Sequence, residues 1–268
     1  MIRLQLKWFL ISLCIISIQS LSAPTPNEYQ RQQNGVFQYS NISALLEGYL
    51  DGNMSLQRLS RKGDFGLGTL NGLDGELVAL DGTFYQVKSD GKAYELPGTT
   101  FSPFAVVTHF SADIRLKLPE RLDYPHLEAL LSQHITQPNH IQAIRIDGRF
   151  STLRVRSPKK QHPPYRRLGD IPKSEFVEFN YKDVEGTLVG FRFPGYLGKL
   201  NASGYHFHFI DKDRKLGGHI LGLTTQNGEI TIDNTTRFHM LQPDDEEFDK
   251  LTLDKDLSKE LRIIEKGR

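Results

Sequence analysis

Glycine residues interrupt a series of short apolar runs between residues 64 and 86, and this pattern limits the fold more than any other feature of the chain. The runs Phe65-Gly66-Leu67-Gly68-Thr69-Leu70 and Leu77-Val78-Ala79-Leu80 are too short for helices that would be stable on their own. Glycine disfavours helix interiors and accepts the backbone conformations of tight turns. The segment therefore predicts short strands joined by tight turns.

Elsewhere, helix-like and strand-like spacings of apolar residues alternate along the chain. Cap residues and prolines give the boundaries. The predicted elements are, in chain order, a helix over 42–50 capped by Ser40 or Asn41, a strand over 104–116, a helix over 121–133, and a strand over 141–155 that a turn at Asp147-Gly148 interrupts.

The two halves of the chain resemble each other in outline. A Leu-Asn-Gly tripeptide at residues 70–72 precedes a strand that ends near Asp81. A Leu-Asn-Ala tripeptide at residues 200–202 precedes a strand that ends near Asp211. The similarity suggests an internal duplication, although two β-rich segments can look alike without one.

Four prolines lie between residues 158 and 172 and mark a boundary between the halves. We predict an α+β fold of two similar subdomains, residues 24–172 and 173–268. Each is expected to contain a mixed, largely antiparallel sheet and a few helices.

The first 23 residues have the layout of a secretory signal peptide. Arg3 and Lys7 give a basic start, residues 8–18 are almost wholly apolar, and small residues lead up to Ala23. The apolar core is too short to span a bilayer comfortably, which argues against a membrane anchor. We expect cleavage near Ala23 and export of the rest of the chain to the periplasm or the extracellular space.

The chain without this leader is nearly neutral. The leader removes Arg3 and Lys7 from 33 basic residues, which leaves 31 against 32 acidic residues and a net charge of −1. Such a surface gives no electrostatic reason to expect nucleic acid or an anionic membrane as a partner. The single cysteine, Cys14, leaves with the leader, so packing, a metal or oligomerisation must hold the core. We expect a homodimer.

Imidazole and aromatic side chains alternate in the segment 204–209, Gly-Tyr-His-Phe-His-Phe. On a strand, His206 and His208 share one face, and an antiparallel return through Gly217-Gly218 brings His219 beside His208. Three neutral imidazoles are a common ligand set for a catalytic zinc with an open position. The alternative is a packed or exposed histidine pair without a metal.

Two charged residues have two interpretations each. Glu76 follows Gly75 on a predicted strand: pointing inward it would have a raised pKa and could transfer protons, and pointing outward it would be solvated. Arg156 ends a strand before the proline-rich segment, where it either binds a substrate carboxylate with its guanidinium or lies on the surface.

Several runs, spread over nearly all of the chain after the leader, together resemble the acetolactate decarboxylase family. They are Glu47-Gly48, Gly63-Asp64-Phe65-Gly66-Leu67-Gly68-Thr69, Leu73-Asp74-Gly75-Glu76-Leu77, Asp81-Gly82, Arg156-Ser157-Pro158-Lys159-Lys160-Gln161, Pro164-Tyr165, Gly186-Thr187-Leu188-Val189-Gly190-Phe191, Tyr205-His206-Phe207-His208-Phe209 and Gly218-His219. The resemblance implies a zinc ion held by three histidines, His206, His208 and His219. It also implies that Glu76 and Arg156 line the same pocket.

The resemblance further implies that the C-terminal tail sends a glutamate into the site. The matching position is Glu265, after an amphipathic run over residues 257–264, and Glu260 is the alternative. Thr69 is a further candidate, which would contribute a hydroxyl.

The implied reaction is the zinc-dependent decarboxylation of (S)-2-acetolactate to (R)-acetoin and carbon dioxide through a metal-stabilised enediolate. Arg156 would orient the carboxylate, and Glu76 or Glu265 would protonate the enediolate. Another zinc-dependent enolising lyase, acting on a small hydroxy-keto acid, would share this pocket but have different walls. A non-catalytic metal-binding module would need neither Glu76 nor Arg156 in it.

The leader generates a testable prediction. Residues 1–23 fused to a reporter protein should carry it across the membrane, and the natural product should begin near Pro24, because small residues precede that position. N-terminal sequencing measures this directly. Soluble, active protein inside the cell that retains Met1 would contradict the prediction.

Overall fold

The computed structural model describes residues 35–266, and strands dominate this part of the chain. The strands are β1 (Val36–Tyr39), β2 (Met54–Ser55), β3 (Phe65–Thr69), β4 (Glu76–Leu80), β5 (Thr83–Val87), β6 (Ala93–Glu95), β7 (Phe101–Ser102), β8 (Phe104–Thr108), β9 (Ile114–Lys117), β10 (Ile141–Pro158), β11 (Phe176–Phe193), β12 (Gly204–Asp211), β13 (Gly217–Thr235) and β14 (Phe238–Leu241). The helices are α1 (Ile42–Leu46), α2 (Leu56–Leu59), α3 (Tyr124–His134), α4 (Glu246–Asp249) and α5 (Ser258–Lys266). Short 3-10 turns occupy Asn71–Leu73, Leu168–Asp170, Lys173–Glu175 and Gly195–Leu197.

The first sheet has seven strands in the order β14-β1-β8-β3-β4-β5-β6. Its neighbouring strands are antiparallel except β1 and β14, which are parallel. Apolar side chains cover both faces: one face packs against β2 and α2, and the other packs against the second sheet. Burial on both faces explains why β4 is a continuous apolar run instead of an alternating one.

The second sheet consists of β9 to β13 and partly closes on itself. β10 pairs with both β11 and β13, while β12 joins β11 to β13. β9 adds to β13. Phe150, Phe207 and Phe209 belong to an apolar core on one face of this sheet, together with Leu127 and Leu131 of α3.

The predicted turn at Asp147-Gly148 is wrong, because β10 runs straight through it. Gly148 lies opposite Gly186 on β11 and Gly228 on β13. A Cβ at position 148 would stand 2.5 Å from the carbonyl oxygen of Asn227, so glycine is needed for this close approach. The Asp-Gly pair therefore lies where β10 passes very near its neighbouring strands. Shifts in the register between β10 and β13 follow at residues 149–155.

The predicted strand over 104–116 is two strands, β8 and β9, and they belong to different sheets. The starts of the helices agree better with the sequence, although α1 ends at Leu46, four residues before the predicted end. α1 begins after Asn41, whose side chain accepts a hydrogen bond from the N–H of Ala44. α3 begins at Tyr124, later than predicted, because Asp123 provides the cap.

The mixed α+β fold, rich in strands and with few helices, is confirmed. The chain passes from the first sheet to the second between Thr108 and Ile114. The subdomain boundary at residue 172 and the internal duplication stay predictions, and the signal peptide, residues 1–23, lies outside the described residues. Within residues 35–266, no helix is both long and apolar enough to cross a membrane.

Candidate active site

Alternating side chains on β12 separate the imidazoles from the aromatic rings. Phe207 and Phe209 belong to the core of the second sheet, so His206 and His208 point to the opposite face. His219 on β13 lies directly opposite His208, as the sequence predicts. His206, His208 and His219 are all buried, and we call them the histidine cluster.

Backbone carbonyls determine which ring nitrogen carries the hydrogen in two of these histidines. His208 Nδ1 lies 2.9 Å from the carbonyl oxygen of Leu77, and His219 Nε2 lies 2.9 Å from that of Glu265. A carbonyl oxygen can only accept, so both nitrogens donate. The lone pairs therefore lie on His208 Nε2 and His219 Nδ1.

These two lone pairs converge on His206. His206 Nε2 lies 3.2 Å from His208 Nε2 and 3.1 Å from His219 Nδ1, and a single hydrogen on His206 can satisfy only one of them. Burial lowers the pKa of His206 to about 3 and lowers the pKa values of the other two well below the usual value. The cluster is therefore neutral. Its ligand atoms lie within 4.8 Å of one another, which suits a transition-metal ion.

Glu76 opens β4 and points toward the histidine cluster. Gly75 before it has a φ of +84°, and a Cβ there would stand 2.2 Å from the carbonyl oxygen of Val87. Glu76 Oε2 lies 3.3 Å from His208 Nε2, and the side chain is 13% exposed. Of the two orientations that the sequence left open, the inward one is observed. Burial raises the pKa of Glu76 to about 8, even though the nearby positive charge of Arg156 lowers it.

Arg156 lies on β10 opposite His219. Gly218, with a φ of +141°, lets β13 pass close by, since a Cβ there would stand 2.8 Å from the carbonyl oxygen of Arg156. The buried guanidinium lies 5.1 Å from the centre of the Phe176 ring, and its Nε has no hydrogen-bond partner among the described residues. A guanidinium in this state is suited to bind a small anion.

Glu265, in the last turn of α5, is the tail glutamate that reaches the histidine cluster. Its Oε2 lies 3.5 Å from His206 Nε2. Burial raises the pKa of Glu265 to about 7, again against the charge of Arg156. Glu260, the alternative candidate, pairs with Arg167 instead.

With the exception of Glu260, every predicted site residue lines one cavity between the two sheets. Thr69 is among them, and its hydroxyl donates to the carbonyl oxygen of Gly75. Much of the remaining wall is apolar: Ile42, Leu45, Leu73, Phe104, Leu168, Phe176 and Ile264. The cavity thus combines metal ligands, a cation and two carboxyls whose pKa values are raised by burial. A cation on the histidine cluster would lower the pKa values of both carboxyls.

Sequence reasoning missed two groups of the site. The Leu77 carbonyl orients His208, but a backbone acceptor leaves no mark in a sequence. The ring of Phe176 stacks on Arg156, although a long proline-rich connection separates the two residues in the chain. The contact follows from the pairing of Phe176 with Pro158, which can be used only when the register of β10 and β11 is known.

We predict that the wild-type protein binds about one transition-metal ion per chain and that His208→Ala loses most of it, since two imidazoles make a poor site. His239→Ala, at an exposed position on β14, is the matched control and should bind metal normally. Elemental analysis after dialysis measures the metal content. A full complement of metal in His208→Ala would contradict the site.

Comparison with known proteins identifies the family. A model of the alpha-acetolactate decarboxylase family matches residues 36–255. The alpha-acetolactate decarboxylase of Methylococcus capsulatus is 45% identical over 213 residues, which cover 80% of this chain and 82% of that protein. The alpha-acetolactate decarboxylase of Methanosarcina mazei is 39% identical over 250 residues, which cover 93% of this chain and 86% of that protein.

A solved structure agrees with these relatives. The crystal structure of alpha-acetolactate decarboxylase from Bacillus subtilis strain 168 matches with a TM-score of 0.84 at 33% identity, and the match covers 87% of this chain and 100% of that chain. The resemblance noted in the sequence is confirmed: the chain belongs to the alpha-acetolactate decarboxylase family.

Proposed function

We propose that this enzyme converts (S)-2-acetolactate to (R)-acetoin and carbon dioxide and that it depends on zinc. The observation that carries the proposal is the meeting of the histidine cluster, Arg156 and the carboxyls of Glu76 and Glu265 around one cavity. The relatives that match most of the chain are named alpha-acetolactate decarboxylases. A small anion with adjacent hydroxyl and ketone oxygens matches both the charge and the ligand set of this cavity.

Zinc fits the histidine cluster because three neutral imidazoles leave a coordination position open and zinc undergoes no redox change. When bound, it would supply a Lewis acid that stabilises the negative charge arising on the substrate oxygens.

The bond that breaks in the proposed reaction joins the carboxylate carbon of acetolactate to the carbon that bears the hydroxyl. The substrate's ketone lies β to the carboxylate, so it accepts the released electron pair and an enediolate results. Arg156 binds the carboxylate and turns this bond out of the plane of the ketone, where the electrons can pass into the carbonyl. The carbon dioxide that leaves is neutral, so Arg156 binds it less strongly than it binds the carboxylate.

One proton must then reach carbon on a single face of the enediolate. Glu76 approaches from β4 beside His208, and Glu265 approaches from α5 beside His206. A carboxyl fixed on one element protonates only the face of the enediolate that it approaches, so delivery by one of them alone gives one enantiomer. Burial raises the pKa of both carboxyls, so both are candidates for the donor, and Glu76 is tested first.

The proposal also includes the export of the enzyme and its oligomeric state. The basic and apolar leader supports export, and N-terminal sequencing tests it. A homodimer is proposed as the assembled form, and the mass of the purified protein in solution tests this.

The function is tested by incubating purified, metal-analysed protein with racemic acetolactate. We expect release of carbon dioxide and formation of (R)-acetoin alone, measured by chiral chromatography, with activity lost in a chelator and restored by zinc. Zinc-loaded protein that forms no acetoin would contradict the proposal and would favour another enolising lyase.

Glu76→Gln separates proton transfer from metal binding. The amide keeps the shape of the side chain, so zinc content should stay near normal while kcat falls about 100- to 10,000-fold, the usual contribution of a general acid or base. Glu120→Gln, at an exposed position, is the control and should match the wild type.

Steady-state acetoin formation and zinc analysis are measured on the same preparations. If Glu76→Gln kept activity within about threefold of wild type, Glu76 would not transfer the proton. The donor would then be sought at Glu265.

A further inference from the structure

We propose that Arg167, outside the cavity, is a positioning residue that holds the C-terminal helix α5 so that Glu265 stays beside the histidine cluster. The inference rests on the proposed function only where it concerns turnover. The position of the helix is a property of the fold and can be tested without the reaction.

Arg167 bridges two carboxylates from distant parts of the chain. Its Nη2 lies 3.0 Å from Glu260 Oε2 on α5 and 3.1 Å from Glu47 Oε1, and its Nε donates to the same Glu47 oxygen at 3.2 Å. Glu47 is the residue that ends α1. The guanidinium therefore connects the end of α1 to the first half of α5.

The two carboxylates of this bridge are more buried than Arg167, whose side chain is 34% exposed. The side chain of Glu47 is 9% exposed and that of Glu260 is 26% exposed. Glu260 Oε1 is buried and has no hydrogen-bond partner in the described part of the chain. Lys255 also pairs with Glu47, but it forms no ion pair with Glu260 among residues 35–266. Removing the Arg167 charge would leave the two carboxylates facing each other with Lys255 paired to Glu47 alone, and Glu260 together with α5 would be pushed outward.

Besides this bridge, α5 is held by Leu261 and Ile264 in an apolar cluster and by the hydrogen bond that His219 donates to the carbonyl oxygen of Glu265. The helix has nine residues, too few to be stable alone, and Leu261 is its only fully buried apolar residue in the described structure. Cavities of about 330 and 350 Å³ flank it on two sides, and Ile263 is 45% exposed. The Arg167 bridge therefore fixes the first half of α5, away from the contacts at Glu265.

The anchor at Glu260 and the functional side chain are on the same rigid element. Glu260 and Glu265 are five residues apart, a rise of about 7.5 Å along a helix. Glu265 Oε2 lies 3.5 Å from His206 Nε2, and a displacement of about 1 Å in such a position can cost about 100-fold in rate. Loss of the anchor at Glu260 therefore moves Glu265 away from the enediolate.

The first test is hydrogen exchange of the zinc-loaded full chain, followed by mass spectrometry. Arg167→Met should speed amide exchange in residues 258–266 and leave the central strands of both sheets unchanged. Glu260→Gln removes the other half of the bridge and should have the same effect. Arg115→Met, which breaks an exposed ion pair with Glu229, is the control and should leave α5 unchanged.

The second test is a double-mutant cycle at saturating zinc and acetolactate. Arg167→Met should lower kcat about 10- to 100-fold while KM changes less than about threefold, because the substrate ligands are untouched. In a Glu265→Gln background, the same Arg167→Met change should alter kcat less than about twofold, since the carboxyl through which Arg167 acts is already gone.

Unchanged exchange of α5 in both Arg167→Met and Glu260→Gln would overturn the proposal whatever reaction the enzyme performs. An equal loss of kcat from Arg167→Met with and without Glu265 would overturn it as well, because a general loss of folded enzyme affects both backgrounds alike. If wild-type protein formed no acetoin, the proposed function would be wrong. Hydrogen exchange would still test whether Arg167 fixes the position of α5.

Discussion

The ring nitrogens of three neutral imidazoles meet at one buried point, and the rest of the structure is arranged around this convergence. The lone pairs of His208 Nε2 and His219 Nδ1 repel, and a charged imidazole does not relieve the repulsion, because burial keeps the ring pKa values low. A cation does relieve it. The carbonyls of Leu77, on the first sheet, and Glu265, on α5, determine the ring hydrogens of His208 and His219. The site therefore depends on both sheets and on the C-terminal helix at once.

Local patterns predicted the half of the site that lies on consecutive strands. The two-residue spacing of His206 and His208, and the glycine-rich return to His219, follow from strand geometry alone. The orientation of Glu76 could not be obtained in this way, because both faces of β4 are buried and its sequence does not alternate. The structure shows that Glu76 and Val78 share one face of β4 and that this face packs against the second sheet, which gives Glu76 its inward orientation.

The errors at Asp147-Gly148 and over 104–116 have a common cause. A turn and a close crossing of strands both require glycine, so the sequence does not distinguish them. A short loop between two strands that enter different sheets likewise reads as one apolar segment when pairing partners are unknown. The family resemblance supplied Glu265 and favoured one of the two interpretations of Arg156. Arg167 gave no signal, because its two carboxylate partners are 120 and 93 positions away in the chain.

Thermal unfolding with and without zinc tests the central claim, that the histidine cluster is built for a cation, most directly. At about 1,000 times its dissociation constant, a ligand that binds only the folded state adds about 4 kcal/mol of stability. For a chain of this size we therefore expect Tm to be about 10 °C higher in excess zinc than in a chelator. His208→Ala should show almost none of this difference. Equal Tm values of the wild-type protein under both conditions would contradict the account.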